Sequence, residues 1–166
     1  MAFLGLKRKI VSFSVNRLFV GVKRFEEKRK LLNWIGHQIG EGTKIVGPID
    51  CTAELEIGKS CWIGKNFVVN GNGKLTIGDN CDIAPEVSFQ TGGHEIGTTE
   101  RRAGKGVKYN IQVGNGCWIG ARSTILGGVS IGNGCVIAAC ACVTKSTEEN
   151  TLYGGVPAKA IKQLEG

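Results

Sequence analysis

Few side chains in this chain can move a proton near neutral pH. The 166 residues hold two histidines, His37 and His94. His37 sits in an entry segment with no other polar chemistry around it and reads as structural or solvated. His94 stands in Gln90-Thr91-Gly92-Gly93-His94-Glu95, followed by Glu100, Arg101 and Arg102. An imidazole in such a segment can take the proton from a hydroxyl as that hydroxyl attacks a carbonyl. Acyl transfer from a thioester needs that base and donors for the developing oxyanion, and neither a metal nor a covalent nucleophile. Arg101 and Arg102 suit an anionic acceptor or donor. Glu95 and Glu100 are both candidates to orient His94. The seven cysteines show no zinc spacing, and two histidines cannot supply a three-histidine zinc site in the usual way.

The scaffold that must hold His94 is written in sixes. Large apolar residues recur as Cys51, Ile57, Ile63, Val69, then after a slip of two as Ile77, Ile83, Phe89. They resume as Val113, Ile119, Ile125, Ile131, Ile137, Val143. Glycine often follows, as at Gly58, Gly64, Gly78, Gly114, Gly120 and Gly132. A fixed short period marks a solenoid, and a period of six predicts a parallel β-helix, an all-β fold. Four places on from each bore residue a second, smaller side chain points inward, because side chains alternate along a strand. Three sixes make one triangular coil. Cys61, Cys81, Cys117 and Cys135 are spaced by one coil, two coils or one coil plus the slip, so they are expected to stack as a buried column.

The pattern fails at 90–112, where bore positions would fall on Glu95 and Arg101, which cannot line a dry core. That stretch is expected to leave the prism as an extruded loop of about one coil's length, and such loops commonly carry function. A smaller insertion at 70–74 fits a bulge at a corner. The domain reading is 1–36 basic amphipathic helix, 37–146 β-helix with the loop 90–112, and 147–166 C-terminal cap.

Charge is segregated. The net charge is +7, yet residues 1–36 hold nine Lys and Arg against Glu26 and Glu27, while the remainder balances. A neutral body argues against nucleic acid. The basic segment, with Leu4, Val11, Val15, Leu18, Val22, Phe25 and Leu32 on one helical stripe, fits either a cap on the solenoid or a helix on an anionic membrane face. No apolar run is long enough to span a bilayer. Free thiols and no signal h-region before Lys7 predict the cytoplasm, with peripheral contact at the inner face of the membrane through residues 1–36.

Ile83-Ala84-Pro85-Glu86-Val87-Ser88-Phe89-Gln90-Thr91-Gly92-Gly93-His94, Cys117-Trp118-Ile119-Gly120 and the closing Gly155-Val156-Pro157-Ala158 resemble the hexapeptide-repeat acyltransferases. The similarity is to the sugar O-acetyltransferases of the galactoside and maltose type, and the basic N-terminus and residues 98–104 resemble acetyltransferases of polysaccharide assembly. The resemblance implies a left-handed parallel β-helix and acetyl-CoA as acyl donor. It implies a homotrimer with active sites between subunits. It makes His94 the general base, puts Asn70 and Trp118 at the acceptor, and sets Ala121 and Ala139 along the pantetheine arm. Lys145, Lys159 and Lys162 would meet the CoA phosphates. The expected reaction is acetyl transfer to a hydroxyl of a sugar or lipid-linked sugar in cell-surface polysaccharide synthesis. Serine O-acetylation and a non-catalytic β-helix scaffold are the alternatives. Trp62, in the same column as Trp118, is expected at a subunit face.

Overall fold

A computed structural model describes residues 2–165, with side chains described from Gly5 onward. Every bore residue expected from Ile57 to Val143 is buried, as are the smaller inward residues four places on. The strands between corners are only two to four residues long over most of the prism, because each must end where the next corner begins.

The coils stack in parallel into three faces. The first face comprises Gln38–Ile39, Glu54–Ile57, Lys74–Ile77, Asn110–Val113 and Ser130–Ile131. The second runs from Lys44–Ile45 through Trp62–Ile63, Asp82–Ile83, Trp118–Ile119 and Val136–Ile137 to Thr151–Gly155 and Ala158–Gln163. The third comprises Ile49–Cys51, Phe67–Asn70, Ser88–Gln90, Thr124–Ile125 and Cys142–Val143. Register is one coil per layer: Ile63 pairs Ile83, which pairs Ile119, which pairs Ile137. Ile83 is fully buried, and replacing it with alanine would cost about 2–5 kcal/mol.

Glycine after the bore residue has a direct cause. A Cβ on Gly58 would lie 2.7 Å from the carbonyl carbon of Gly78 in the next coil, closer than real Cβ atoms approach.

The expected cysteine column is present, and it has a base not foreseen. Thr43 occupies the first layer and donates its hydroxyl to the Gly58 carbonyl at 2.7 Å. Above it the thiols of Cys61, Cys81 and Cys117 donate to the carbonyls of Gly78, Gly114 and Gly132, each at 3.1 Å. Cys135 ends the ladder on the Glu148 carbonyl at 2.9 Å. Each thiol satisfies a corner carbonyl that lies outside the strand ladders while filling the volume of a small apolar group.

The N-terminal segment is not one helix. It forms α1 (Ala2–Phe13), a π-turn at Ser14–Leu18, and α2 (Phe25–Trp34). Left-handed backbone at Gly21 and Arg24 breaks it. The expected stripe splits with it: Val11, Val15 and Leu32 are buried, Leu18 and Val22 are exposed, and the Leu4 side chain lies outside the described residues. The Asn16 amide fixes this segment to the lowest coil, donating to the Ile49 carbonyl at 2.8 Å and accepting from the Ile49 N–H at 2.9 Å. Lys28 on α2 is fully buried and donates to the carbonyls of Gly21 at 2.8 Å and Val46 at 3.1 Å. Phe25 meets Trp62 edge-on at 5.9 Å between ring centroids, and Trp62 stays half-exposed.

The tail leaves the top coil as Thr151–Gly155, which extends the second face in parallel, and turns back antiparallel as Ala158–Gln163.

Candidate active site

The extruded stretch is a β-hairpin. Gly92–Ile96 pairs antiparallel with Ala103–Lys108, and Asn110–Val113 already belongs to the first face. Ile77 pairs directly with Val113, so the coil below and the coil above meet as though the hairpin were absent. Its base is closed by the Tyr109 N–H donating to the Thr91 carbonyl at 2.8 Å. Thr91 is fully buried; its N–H and its hydroxyl both donate to the Asn70 carbonyl, at 2.7 and 2.8 Å. Asn70 thus anchors the hairpin's entry through its backbone while its residue surface stays exposed.

His94 is exposed on the first hairpin strand, opposite Gly106. Its Nδ1 lies 2.9 Å from the Gly104 carbonyl oxygen. A carbonyl only accepts, so this contact selects the tautomer with the proton on Nδ1 and leaves the Nε2 lone pair available. Among the described residues neither Glu95 nor Glu100 bonds to the ring; the orienting group is a backbone oxygen. Residue types cannot reveal such a partner, because it depends on the register of the hairpin. The hairpin is otherwise cationic, with Arg101, Arg102, Lys105 and Lys108 against two glutamates.

The remaining expected site residues fall into two groups. Lys145 follows the last strand of the third face, two coils above Thr91, on the corner from which the hairpin leaves. Asn70 is at the same corner below it. Trp118 is exposed on the second face, and its outward column continues through Val136 and Leu152 to Lys162. Lys159 pairs Gly154 on the same face. Ala121 and Ala139 turn the next corner, between the second and third faces, where the coils stack with little side chain between them. At that corner Arg122 pairs with Glu86 at 2.7 Å, holding the Glu86 carboxyl below its usual range through their hydrogen bond. One chain therefore carries His94, Asn70 and Lys145 on one corner, and Trp118, Ala121, Ala139, Lys159 and Lys162 on another face and corner.

His37 lies partly buried at the foot of the prism, away from this hairpin, its pKa lowered by burial and then by Arg8. No group of three or more metal-ligating side chains occurs among the described residues.

A triangular prism of six-residue repeats with one histidine-bearing hairpin defines a class, and sequence comparison agrees. Residues 110–145 match the family described as bacterial transferase hexapeptide (six repeats). The chain belongs to the hexapeptide-repeat acetyltransferases. It is 32% identical over 145 residues to the galactoside O-acetyltransferase of Escherichia coli K12, covering 84% of this chain and 70% of that one. It is 29% identical to an E. coli K12 acetyltransferase named for colanic acid biosynthesis, covering 80% of this chain and 72% of the other. Among solved structures, a hexapeptide-repeat acetyltransferase of Vibrio cholerae complexed with acetyl coenzyme A superposes with a TM-score of 0.84 at 26% identity, covering 99% of this chain and 89% of that one.

Proposed function

We propose that this enzyme transfers an acetyl group from acetyl-CoA to a sugar hydroxyl, with His94 as general base. The observation that carries the reading is the 2.9 Å contact of Nδ1 with the Gly104 carbonyl, which turns Nε2 into the free base. Nε2 takes the proton of the acceptor hydroxyl as its oxygen attacks the thioester carbonyl carbon. Collapse of the tetrahedral intermediate breaks the carbon–sulfur bond, and the departing CoA thiolate takes the proton back from the imidazolium.

The acyl donor runs along the corner at Ala121 and Ala139, whose backbone groups face the pantetheine arm. Lys145, Lys159 and Lys162 supply cations for the CoA phosphates. Asn70 and Trp118 contact the acceptor. The two groups of residues lie on different corners of one prism, which supports a homotrimer whose active sites are completed between subunits. The likeness to the colanic acid protein favours a glycan acceptor in cell-surface polysaccharide synthesis, free or lipid-linked. No helix among the described residues is long and apolar enough to cross a membrane. We place the enzyme in the cytoplasm, with residues 1–36 as a foot, 37–146 as the catalytic prism and 147–166 as its cap.

Calorimetric titration with acetyl-CoA and CoA, followed by turnover on sugars and lipid-linked sugars, tests this. His94→Gln should keep CoA binding and lose about 10²–10⁴-fold in turnover. Full turnover by His94→Gln refutes the base. No CoA binding by a folded protein refutes the enzyme reading in favour of a scaffold, and turnover of L-serine in preference to sugars moves the acceptor assignment.

A further inference from the structure

We propose that the outward side of α1 is a docking face for an anionic lipid bilayer. Leu6, Ile10 and Phe13 are spaced by four and three, so they share one side of the helix. They are 57%, 50% and 59% exposed. Val11 and Val15, fully buried, hold the nearly opposite side against the prism. This helix therefore has two apolar sides, and the fold uses only one. Leu18 and Val22, in the segment that follows, are exposed as well.

The charge around this surface selects the occupant. The first 25 residues contain Lys7, Arg8, Lys9, Arg17, Lys23 and Arg24 and no acid. Arg8, Lys9 and Arg17 line a groove with Ser12, Asn16 and Phe13, directly beside the apolar side chains. An apolar stripe bordered by cations fits acyl chains beneath phosphate headgroups. A second copy of the same face would bring cations against cations, which opposes self-association. Asn16, bonded to Ile49 both ways, joins the segment rigidly to the lowest coil, so a bound bilayer would hold the prism by its foot. The inference does not depend on the base assigned above.

Co-sedimentation of the full chain with vesicles tests it. The protein should pellet with phosphatidylglycerol–phosphatidylcholine vesicles and stay in solution with phosphatidylcholine alone, and added salt should weaken recovery. The double variant Ile10→Ser/Phe13→Ser should reduce partition about tenfold or more while acetyl-CoA binding and thermal unfolding stay as in the parent. Lys9→Glu/Arg17→Glu, which leaves the apolar side intact, should also lose about tenfold. Equal partition on the two vesicle types, no partition, or parent-like binding by either variant overturns the proposal. A fall in oligomeric mass on Phe13→Ser, without vesicle binding by the parent, assigns the face to a second copy and overturns it too.

Discussion

The ring of Tyr109 occupies the space that a side chain at Gly127 would need. A Cβ on Gly127 would overlap the ring itself, and one on Gly93, next to His94, would lie 2.9 Å from Cε2 of the same ring. Tyr109 thus wedges the hairpin base between His94's neighbour and the coil above it.

With His94 as the proposed base, this wedge predicts that Tyr109 positions it. Tyr109→Phe keeps the ring and should retain turnover, since the phenol makes no hydrogen bond among the described residues. Gly127→Val should expel the ring and lower turnover by about tenfold or more, with little change in acetyl-CoA affinity, because displacement by an ångström is costly to catalysis. Steady-state kinetics on the two variants, with calorimetry for the donor, separates the effects. Equal losses in both variants would assign the hydroxyl a role of its own.

The thiol ladder predicts a pattern of chemical reactivity. Cys140 is exposed, Cys51 and Cys142 are half-buried, and the four column cysteines are buried. Burial pushes the Cys51 thiol up to about 11, and the neighbouring Cys117 thiol, ahead of burial, pushes Cys81 up to about 11 as well. Thiolates are the reactive species, so native protein treated with iodoacetamide should label at Cys140 first. Mass spectrometry should find the column unlabelled until guanidinium opens it. Cys81→Ala should cost about 1–3 kcal/mol, since it removes the donor to the Gly114 carbonyl and leaves a small void.

Lys28 makes stability depend on alkaline pH. Burial lowers its pKa from the ordinary 10.5 to about 8. Between those values the unfolded chain binds the proton that the folded chain has released, so the contribution of this group to stability rises as pH rises through that window. Chemical denaturation at pH 7.5 and pH 10, compared between the parent and Lys28→Met, isolates it. The variant should lose the rise. At neutral pH the carbonyls of Gly21 and Val46 each keep a backbone donor, from Lys23 and Gly21, so losing the two ammonium hydrogen bonds should change stability there by only about 1 kcal/mol.

Most of the prism was legible because its physics is local and repeated. One coil sets the spacing of the next, so Ile83 or Cys117 could be placed inside from spacing alone. The glycines had a readable position and an unreadable reason, which is contact between backbones one coil apart. What escaped the sequence depended on single events. The helix break at Gly21 and Arg24 is invisible in a stripe that runs across it, and it sent Leu18 and Val22 outward. The loop at 90–112 was recognisable as an exception, but its hairpin register, and with it the Gly104 partner of His94, has no signature in residue type. Phe25, brought over by α2, meets the half-exposed ring of Trp62 within this chain, a contact that the repeat spacing does not show.

The hairpin enters and leaves the prism at one point, with Thr91 and Tyr109 already joined by a hydrogen bond and Ile77 already paired with Val113. Its length is therefore invisible to the bore. A shorter, longer or differently charged hairpin could be grafted between those two residues without shifting a single layer. The histidine-bearing appendage and the folding unit are thus two separable inventions in one chain, and variation can be explored on the first while the second stays fixed.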